Sequence, residues 1–179
     1  HQNYSGFSLA TLTLVIICMV TGRNAAMAFN RYIDAEFDIK NPRTAIREIP
    51  SGIITKKSAI TFVVFNSLLF ILSSYLINWT CFILSPVALL IILGYSYTKR
   101  FTWLCHIVLG LGLSLAPIGA YIAVTGVINI NIIALGMVVM FWVAGFDIIY
   151  ALQDEDFDKN NDLHSIPVFL GKQKGLMLS

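Results

Sequence analysis

Long apolar runs alternate with short polar segments along the whole chain. Apolar runs of about 18 residues or more are typical of transmembrane helices. We predict five of them, at residues 7–22 (a helix that can continue through Asn30), 58–77, 79–97, 103–125 and 127–150. A further apolar segment begins near Leu176 and is cut off. The pattern therefore predicts an all-α fold, a polytopic transmembrane helical bundle of five full spans plus a partial one.

The composition supports a membrane protein and excludes several other classes. Hydrophobic residues make up 57% of the 179 residues and charged residues 12%, whereas soluble domains average about 25% charged residues. A disordered chain needs low hydrophobicity, and three cysteines cannot build a disulfide framework. The net charge of +2 without a basic tract argues against a nucleic-acid partner. We interpret residues 1–179 as one membrane domain and, since the chain starts at His1, as an internal piece of a longer protein.

The basic residues are confined to alternate links between the predicted spans, apart from Arg23 near the end of the first one. Eleven of the twelve follow the first, third or fifth span: Arg31, Lys40, Arg43, Arg47, Lys56, Lys57, Lys99, Arg100, Lys159, Lys172 and Lys174. The positive-inside rule places these links in the cytoplasm. All ten acidic residues lie on the same side, although the rule does not require it. We therefore expect a functional site on the cytoplasmic face, by default of a bacterial inner membrane.

Two rows of polar side chains with helical spacing stand on that face. The first row is Asn30, Asp34 and Asp38, and the second is Asp147, Tyr150, Asp154 and Asp158. Residues four apart share one face of a helix. Like charges at that spacing repel each other, so a positive partner is expected. Mg²⁺ is such a partner, because it takes carboxylate oxygens and completes its shell with water and phosphate. The alternative is that these are solvated acids at helix ends.

Basic and aromatic side chains close to the rows could clamp a pyrophosphate. The candidates are Arg43, Arg47, Lys99, Arg100 and Tyr95, which lies one turn before Lys99. Lys56, Lys57 and Arg100 have an equally good interpretation as ordinary cytoplasmic anchors. Arg23 lies two turns before Asn30, and an arginine inside a membrane helix is usually paired or functional. His106, near a predicted helix start, is more often a structural histidine than a catalytic one.

These motifs resemble the UbiA superfamily of intramembrane aromatic prenyltransferases, and the resemblance covers essentially the whole chain. The family signature NxxxDxxxD matches Asn30-Arg-Tyr-Ile-Asp34-Ala-Glu-Phe-Asp38, and DxxYxxxDxxxD matches residues 147–158. A YxxxK element matches residues 95–99, and an arginine corresponding to Arg23 occurs in relatives. The loop Asn41-Pro-Arg-Thr44 and the segment 165–171 resemble the 4-hydroxybenzoate branch. Glu48 after Arg47 instead resembles a menaquinone branch.

The resemblance implies Mg²⁺-dependent transfer of a polyprenyl group from polyprenyl diphosphate to an aromatic acceptor such as 4-hydroxybenzoate, in ubiquinone or menaquinone biosynthesis. It implies metal ligands at Asn30, Asp34, Asp38, Asp154 and Asp158, with these aspartates and Arg47 as catalytic residues. It implies substrate binding by Arg23, Asn30, Arg43, Tyr95, Lys99, Asp147 and Tyr150, with lipid around the spans.

Alternatives remain within and outside this family. Members have about nine helices, so the first helix and the last few are expected to be missing here. A menaquinone, haem O or archaeal-lipid prenyltransferase is the main alternative. A membrane transporter is a weaker one, because transporters place their acids near the membrane midplane and these lie at span ends.

Overall fold

The computed structural model describes residues 8–179, which form helices and contain no strand. Phe7, where the first predicted span begins, lies outside the described residues. The helices are α1 (Leu9–Lys40), α2 (Lys56–Ile77), α3 (Trp79–Thr98), α4 (Cys105–Thr125), α5 (Ile130–Ala151), α6 (Glu155–Asn160), α7 (Ile166–Leu170) and α8 (Lys172–Leu178). A 3₁₀ turn at Leu152–Asp154 joins α5 to α6. The predicted all-α fold is confirmed.

Helices α1 to α5 are each long and apolar enough to cross a membrane. Their bounds agree with the predicted spans, and α1 continues well beyond Asn30, to Lys40. It therefore carries Asp34 and Asp38 on the same continuous helix as Asn30. We call the end of the bundle where α1, α3 and α5 finish the charged end, and the opposite end the uncharged end.

At the uncharged end, uncharged polar residues close the turns. Asn78 caps the start of α3 by accepting a hydrogen bond from the Cys81 backbone N–H at 2.8 Å. Its Nδ2 also donates to the carbonyl of Ile122 near the end of α4. Gly126 ends α4 with φ 72°, a left-handed conformation that glycine adopts without steric cost. One short turn thus ties α3 to α4.

The bundle buries small and polar side chains and exposes large apolar ones. Helix α1 packs along α2, α4 packs along α5, and α3 contacts α1, α2 and α4. Buried helix positions include Ala25 and Ser85, whereas Trp142 and Phe146 on α5 are 77% and 68% exposed. Small residues let membrane helices approach closely while lipid covers large apolar groups. This distribution agrees with a chain that sits in a bilayer.

The segment after α5 departs from the sequence prediction. The second row was predicted to be one helical stripe, but the helix ends at Ala151 and a 3₁₀ turn leads into the short α6. Aspartate has low helix propensity and like charges four apart repel, which accounts for a break among these acids. The chain then turns back at Asp162 (φ 54°). His164 donates its backbone N–H to the Lys99 carbonyl at 2.7 Å, which returns the segment to the charged end.

Candidate functional site

A cavity of about 260 Å³ opens at the charged end, between α1, α3, α4 and α5 and the loops that follow them. Every site residue predicted from the sequence lines it, except Arg23: Asn30, Asp34, Asp38, Arg43, Arg47, Tyr95, Lys99, Asp147, Tyr150, Asp154 and Asp158. Arg23 is exposed on α1 and lies farther from the charged end than Asn30. The structure therefore brings both rows and their neighbouring cations to one cavity, which Arg23 does not line.

The first row lies along one face of α1. Asn30 Nδ2 donates to Asp34 Oδ2 at 2.8 Å, the contact expected for residues one turn apart. Asp38 is 5% exposed, and Arg47 Nη1 lies 2.7 Å and 2.9 Å from its two oxygens. Such a charge-assisted contact offsets part of the cost of burying the carboxylate. The Arg47 guanidinium therefore belongs to the site.

The loop after α1 connects the first row to the second. Buried Asn41 accepts a hydrogen bond from the Arg43 backbone N–H and donates Nδ2 to Asp154 Oδ1 at 3.2 Å. Arg43 Nε donates to the same oxygen at 3.0 Å, and its Nη2 contacts Asp154 Oδ2. This bidentate contact raises the pKa of Arg43. Tyr150 lies alongside, with its hydroxyl 3.4 Å from Arg43 Nη1.

Asp158 is the most deeply buried acid of the site, with 0% exposure. Lys99 Nζ lies 2.8 Å from its Oδ1. Within residues 8–179, however, neither Asp158 oxygen accepts a hydrogen bond of normal geometry. A buried carboxylate is costly unless its oxygens are satisfied. Its lone pairs are therefore available to a further positive partner.

The acids of the site are arranged in pairs with basic side chains and do not form one acidic cluster. Over residues 8–179, no group of three His, Cys, Asp or Glu side chains is close enough together to hold a metal ion by itself. This arrangement fits Mg²⁺ in its usual protein setting, where one or two carboxylates hold it and substrate phosphate supplies other ligands. The donor atoms are the oxygens that such a hard cation prefers.

The cavity lining also includes Asn41 and His106, which sequence reasoning left out of the site, and Arg100, for which it left pyrophosphate binding and anchoring equally open. Arg100 Nη2 donates to the Ile33 carbonyl at 2.7 Å and lies 3.8 Å from Asp34 Oδ1. Asn41 could have been predicted as a residue of the site, because it lies shortly after the first row. His106 had no such signal, because its partner Asp147 lies 41 residues away in the sequence.

Comparisons with known proteins identify close similarity to one family. The model of the UbiA prenyltransferase family matches residues 2–179. A protein named 4-hydroxybenzoate octaprenyltransferase from Vesicomyosocius okutanii is 29% identical over 170 residues, which is 95% of this chain and 62% of that protein. One of the same name from Aliivibrio salmonicida is 32% identical, over 93% of this chain and 59% of that protein. This chain thus spans about three fifths of the length of those two relatives.

Solved structures show the same fold. The apo structure of a UbiA homologue from Aeropyrum pernix K1 matches with a TM-score of 0.89 and 34% identity, over 97% of this chain and 66% of that one. A UbiA homologue from Archaeoglobus fulgidus, bound to DMAPP and Mg²⁺, matches with a TM-score of 0.79 and 23% identity, over 95% of this chain and 61% of that one. At that lower identity the likeness concerns the fold alone.

Proposed function

Because this chain belongs to the UbiA prenyltransferase family, we propose that its cavity binds a polyprenyl diphosphate for transfer of the polyprenyl group to an aromatic acceptor. The observation that carries the proposal is the meeting of two carboxylate rows and several cations in one cavity at the end of an apolar bundle. The charged head of such a donor needs the carboxylates and cations of the cavity, and its isoprenoid tail needs the apolar bundle. The relatives named 4-hydroxybenzoate octaprenyltransferase favour 4-hydroxybenzoate as the acceptor.

Mg²⁺ is the cofactor that this donor set fits. Its ligands would be Asn30, Asp34 and Asp38 on one side and Asp154 and Asp158 on the other. The incompletely satisfied oxygens of buried Asp158 support this assignment. When bound, the metal would supply positive charge to stabilise the departing diphosphate. The Archaeoglobus fulgidus homologue, described as bound to Mg²⁺ and DMAPP, offers a parallel in a relative of the same fold.

In this scheme the cations of the site pair first with carboxylates and then with phosphate oxygens. Arg43 and Lys99 lie against Asp154 and Asp158, and Arg47 lies against Asp38. With Mg²⁺ held by the carboxylates, these cations would be available to bind phosphate oxygens, for which Arg is suited by its fork of donors. Tyr95 and Tyr150 line the same cavity with hydroxyl groups.

The transfer itself exchanges one bond for another. The C–O bond between the prenyl group and the diphosphate breaks, and the diphosphate leaves with the electron pair. A ring carbon of the acceptor forms the new C–C bond, and the ring then loses a proton. The side chains at the charged end hold the leaving group by preorganised charge, while the apolar spans keep water from the allylic cation. Binding of a substrate by Arg23 stays a prediction.

We also propose that the charged end faces the cytoplasm of a bacterial inner membrane. The basic residues of the loops lie at that end and the turns at the uncharged end hold none, as the positive-inside rule requires of an inner-membrane protein.

The test of the proposed function uses membranes from cells that express the complete gene encoding this chain. They are supplied with radiolabelled 4-hydroxybenzoate, a polyprenyl diphosphate and Mg²⁺. We expect a prenylated product that disappears with EDTA, and a loss of about a hundredfold or more with Asp34→Ala or Asp154→Ala. Glu36→Ala and Asp156→Ala are the matched controls, because both side chains are exposed and neither lines the cavity.

The possible outcomes test the prenyl-transfer reaction and the identity of the acceptor separately. Product with another quinone precursor, but none with 4-hydroxybenzoate, would keep the prenyl transfer and change the acceptor. Absence of product with every aromatic acceptor would overturn the proposed function. Equal activity of the Asp34→Ala and Glu36→Ala proteins would remove the first row from the site.

A further inference from the structure

His106 joins two parts of the molecule that meet at the cavity, and the proposed mechanism gives it no role. It lies in the first turn of α4 and is 2% exposed. Its Nδ1 lies 2.7 Å from Asp147 Oδ2 on α5. Its Nε2 lies 3.3 Å from the backbone nitrogen of Ile166, the first residue of α7. One imidazole thus contacts a carboxylate of the cavity and the backbone of a distant segment.

These two contacts define the hydrogen positions on the imidazole ring. A backbone N–H can only donate, so His106 Nε2 must be the acceptor in its contact with Ile166. A neutral imidazole carries its hydrogen on the other nitrogen. Nδ1–H therefore donates to Asp147. The two hydrogen bonds therefore run in the same direction: the Ile166 backbone donates to His106, and His106 donates to the carboxylate.

The segment that donates to His106 is fastened over the corner between α3 and α4. We call residues 163–169 the clasp. Its His164 N–H donates to the Lys99 carbonyl at 2.7 Å, and the Cys105 thiol lies 3.5 Å from the His164 carbonyl. The Phe169 ring stacks on Trp103, with centroids 5.0 Å apart and planes 7° apart.

We propose that His106 is a positioning residue, which ties the clasp to Asp147 and so fixes the orientation of that carboxylate in the cavity. This inference rests on the proposed function for its catalytic consequence and on geometry alone for the contacts. Asp147 lines the cavity, and its Oδ2 is occupied by His106. Among the described residues nothing donates to Oδ1, so this oxygen is free to contact substrate. If the clasp lifts, His106 keeps only its contact with Asp147, and the carboxylate is held less rigidly.

Two substitutions separate the two contacts of His106. In His106→Asn the amide nitrogen takes the place of Nδ1, so the donor to Asp147 is kept and the acceptor for Ile166 is lost. In His106→Gln the amide oxygen reaches toward the place of Nε2, so the acceptor for the Ile166 N–H is kept and the donor to Asp147 is lost. His106→Ala removes both. The Asn and Gln variants keep a polar side chain in the buried position, which guards against simple misfolding.

Two readouts do not need the reaction. The first is the tautomer of His106 in ¹⁵N-histidine-labelled full-length protein, for which we expect a neutral Nδ1–H ring. Its signal is assigned by its absence from the His106→Gln variant. The second is the maleimide labelling rate of Cys105 in a Cys18→Ala, Cys81→Ala background, because Cys105 is buried beneath the clasp. We expect labelling to rise about fivefold or more in the Asn and Ala variants and to stay low in the Gln variant.

A third readout is the rate of prenyl transfer. We expect kcat to fall about tenfold or more in the Gln and Ala variants, with a smaller change in KM for the polyprenyl diphosphate, and to fall less in the Asn variant, which keeps the donor to Asp147. An Nε2–H tautomer would overturn the proposal, as would unchanged Cys105 labelling in all three variants or identical kcat in the Asn and Gln variants. If the wild-type protein transfers no prenyl group, the proposed function fails while the tautomer and the labelling still decide the contacts of His106.

Discussion

The buried carboxylate of Asp158 has Lys99 as its paired cation. The carboxylate is fully buried and Lys99 Nζ, 2.8 Å away, is the cation beside it. Breaking a buried pair leaves an uncompensated charge. We predict that Lys99→Met destabilises the protein by about 1–3 kcal/mol, less than for a fully buried pair because Lys99 is 35% exposed. A lower melting temperature in detergent would measure it.

The control for this prediction is Lys159→Met. Lys159 also pairs with an acid, Glu155 at 2.6 Å, but it lies on the surface, where such pairs contribute little. We expect no measurable change in melting temperature from that substitution. If both variants melt at the same temperature as the parent, the Lys99–Asp158 contact does not stabilise the fold.

At the scale of single residues, the sequence was sufficient to predict side chains that lie together because of their spacing on one helix. The row Asn30, Asp34, Asp38 could be found because its members lie one turn apart on one helix. Contacts between distant segments could not be found in this way. Asn41 meets Asp154 across 113 positions, and no periodicity within one segment records such a partner. Single-sequence reasoning therefore found the two polar rows more easily than the side chains that contact them.

Among the helices, the packing of α4 on α5 depends on a glycine. A Cβ added to Gly110 would collide with the Met140 carbonyl oxygen, whereas a Cβ at Gly119 on the same helix meets nothing within 4 Å. We predict that Gly110→Ala destabilises the protein by about 1–3 kcal/mol, because the two backbones must separate. Gly119→Ala should be neutral or slightly stabilising, since alanine is the better helix former. Melting in detergent distinguishes them, and equal behaviour would contradict the close approach at Gly110.

The helix bounds show why the spans were easier to predict than the segment after α5. A long apolar run has one helical solution in a bilayer, because every backbone polar group must be satisfied inside the helix. Beyond Ala151 that constraint ends. Adjacent acids and contacts with Arg43 and Lys99 then decide the backbone, and a 3₁₀ turn interrupts the stripe that spacing alone predicted. Tertiary contacts therefore outweighed the helical spacing of the acids in the segment where the membrane no longer imposes a helix.

For the whole molecule, the separation of charge between the two ends predicts one orientation in the membrane. The exposed positions Ser51, in the loop after α1, and Ile128, in the turn before α5, lie at the charged and the uncharged end respectively. We predict that in intact spheroplasts an impermeant maleimide labels Ile128→Cys at once, and labels Ser51→Cys only after the membrane is opened. The reason is the cost of moving the basic loops across the membrane.

The parent chain, with Cys18, Cys81 and Cys105 inside or beside helices, provides the background labelling. The orientation also bears on the substrate. If the donor is the proposed polyprenyl diphosphate, its charged head, made in the cytoplasm, could reach the cavity only if the charged end opens there, while its tail would enter between helices whose outer faces are apolar. Labelling of Ser51→Cys in intact spheroplasts would place the cavity on the outer side. The donor would then have to be a diphosphate already carried across the membrane.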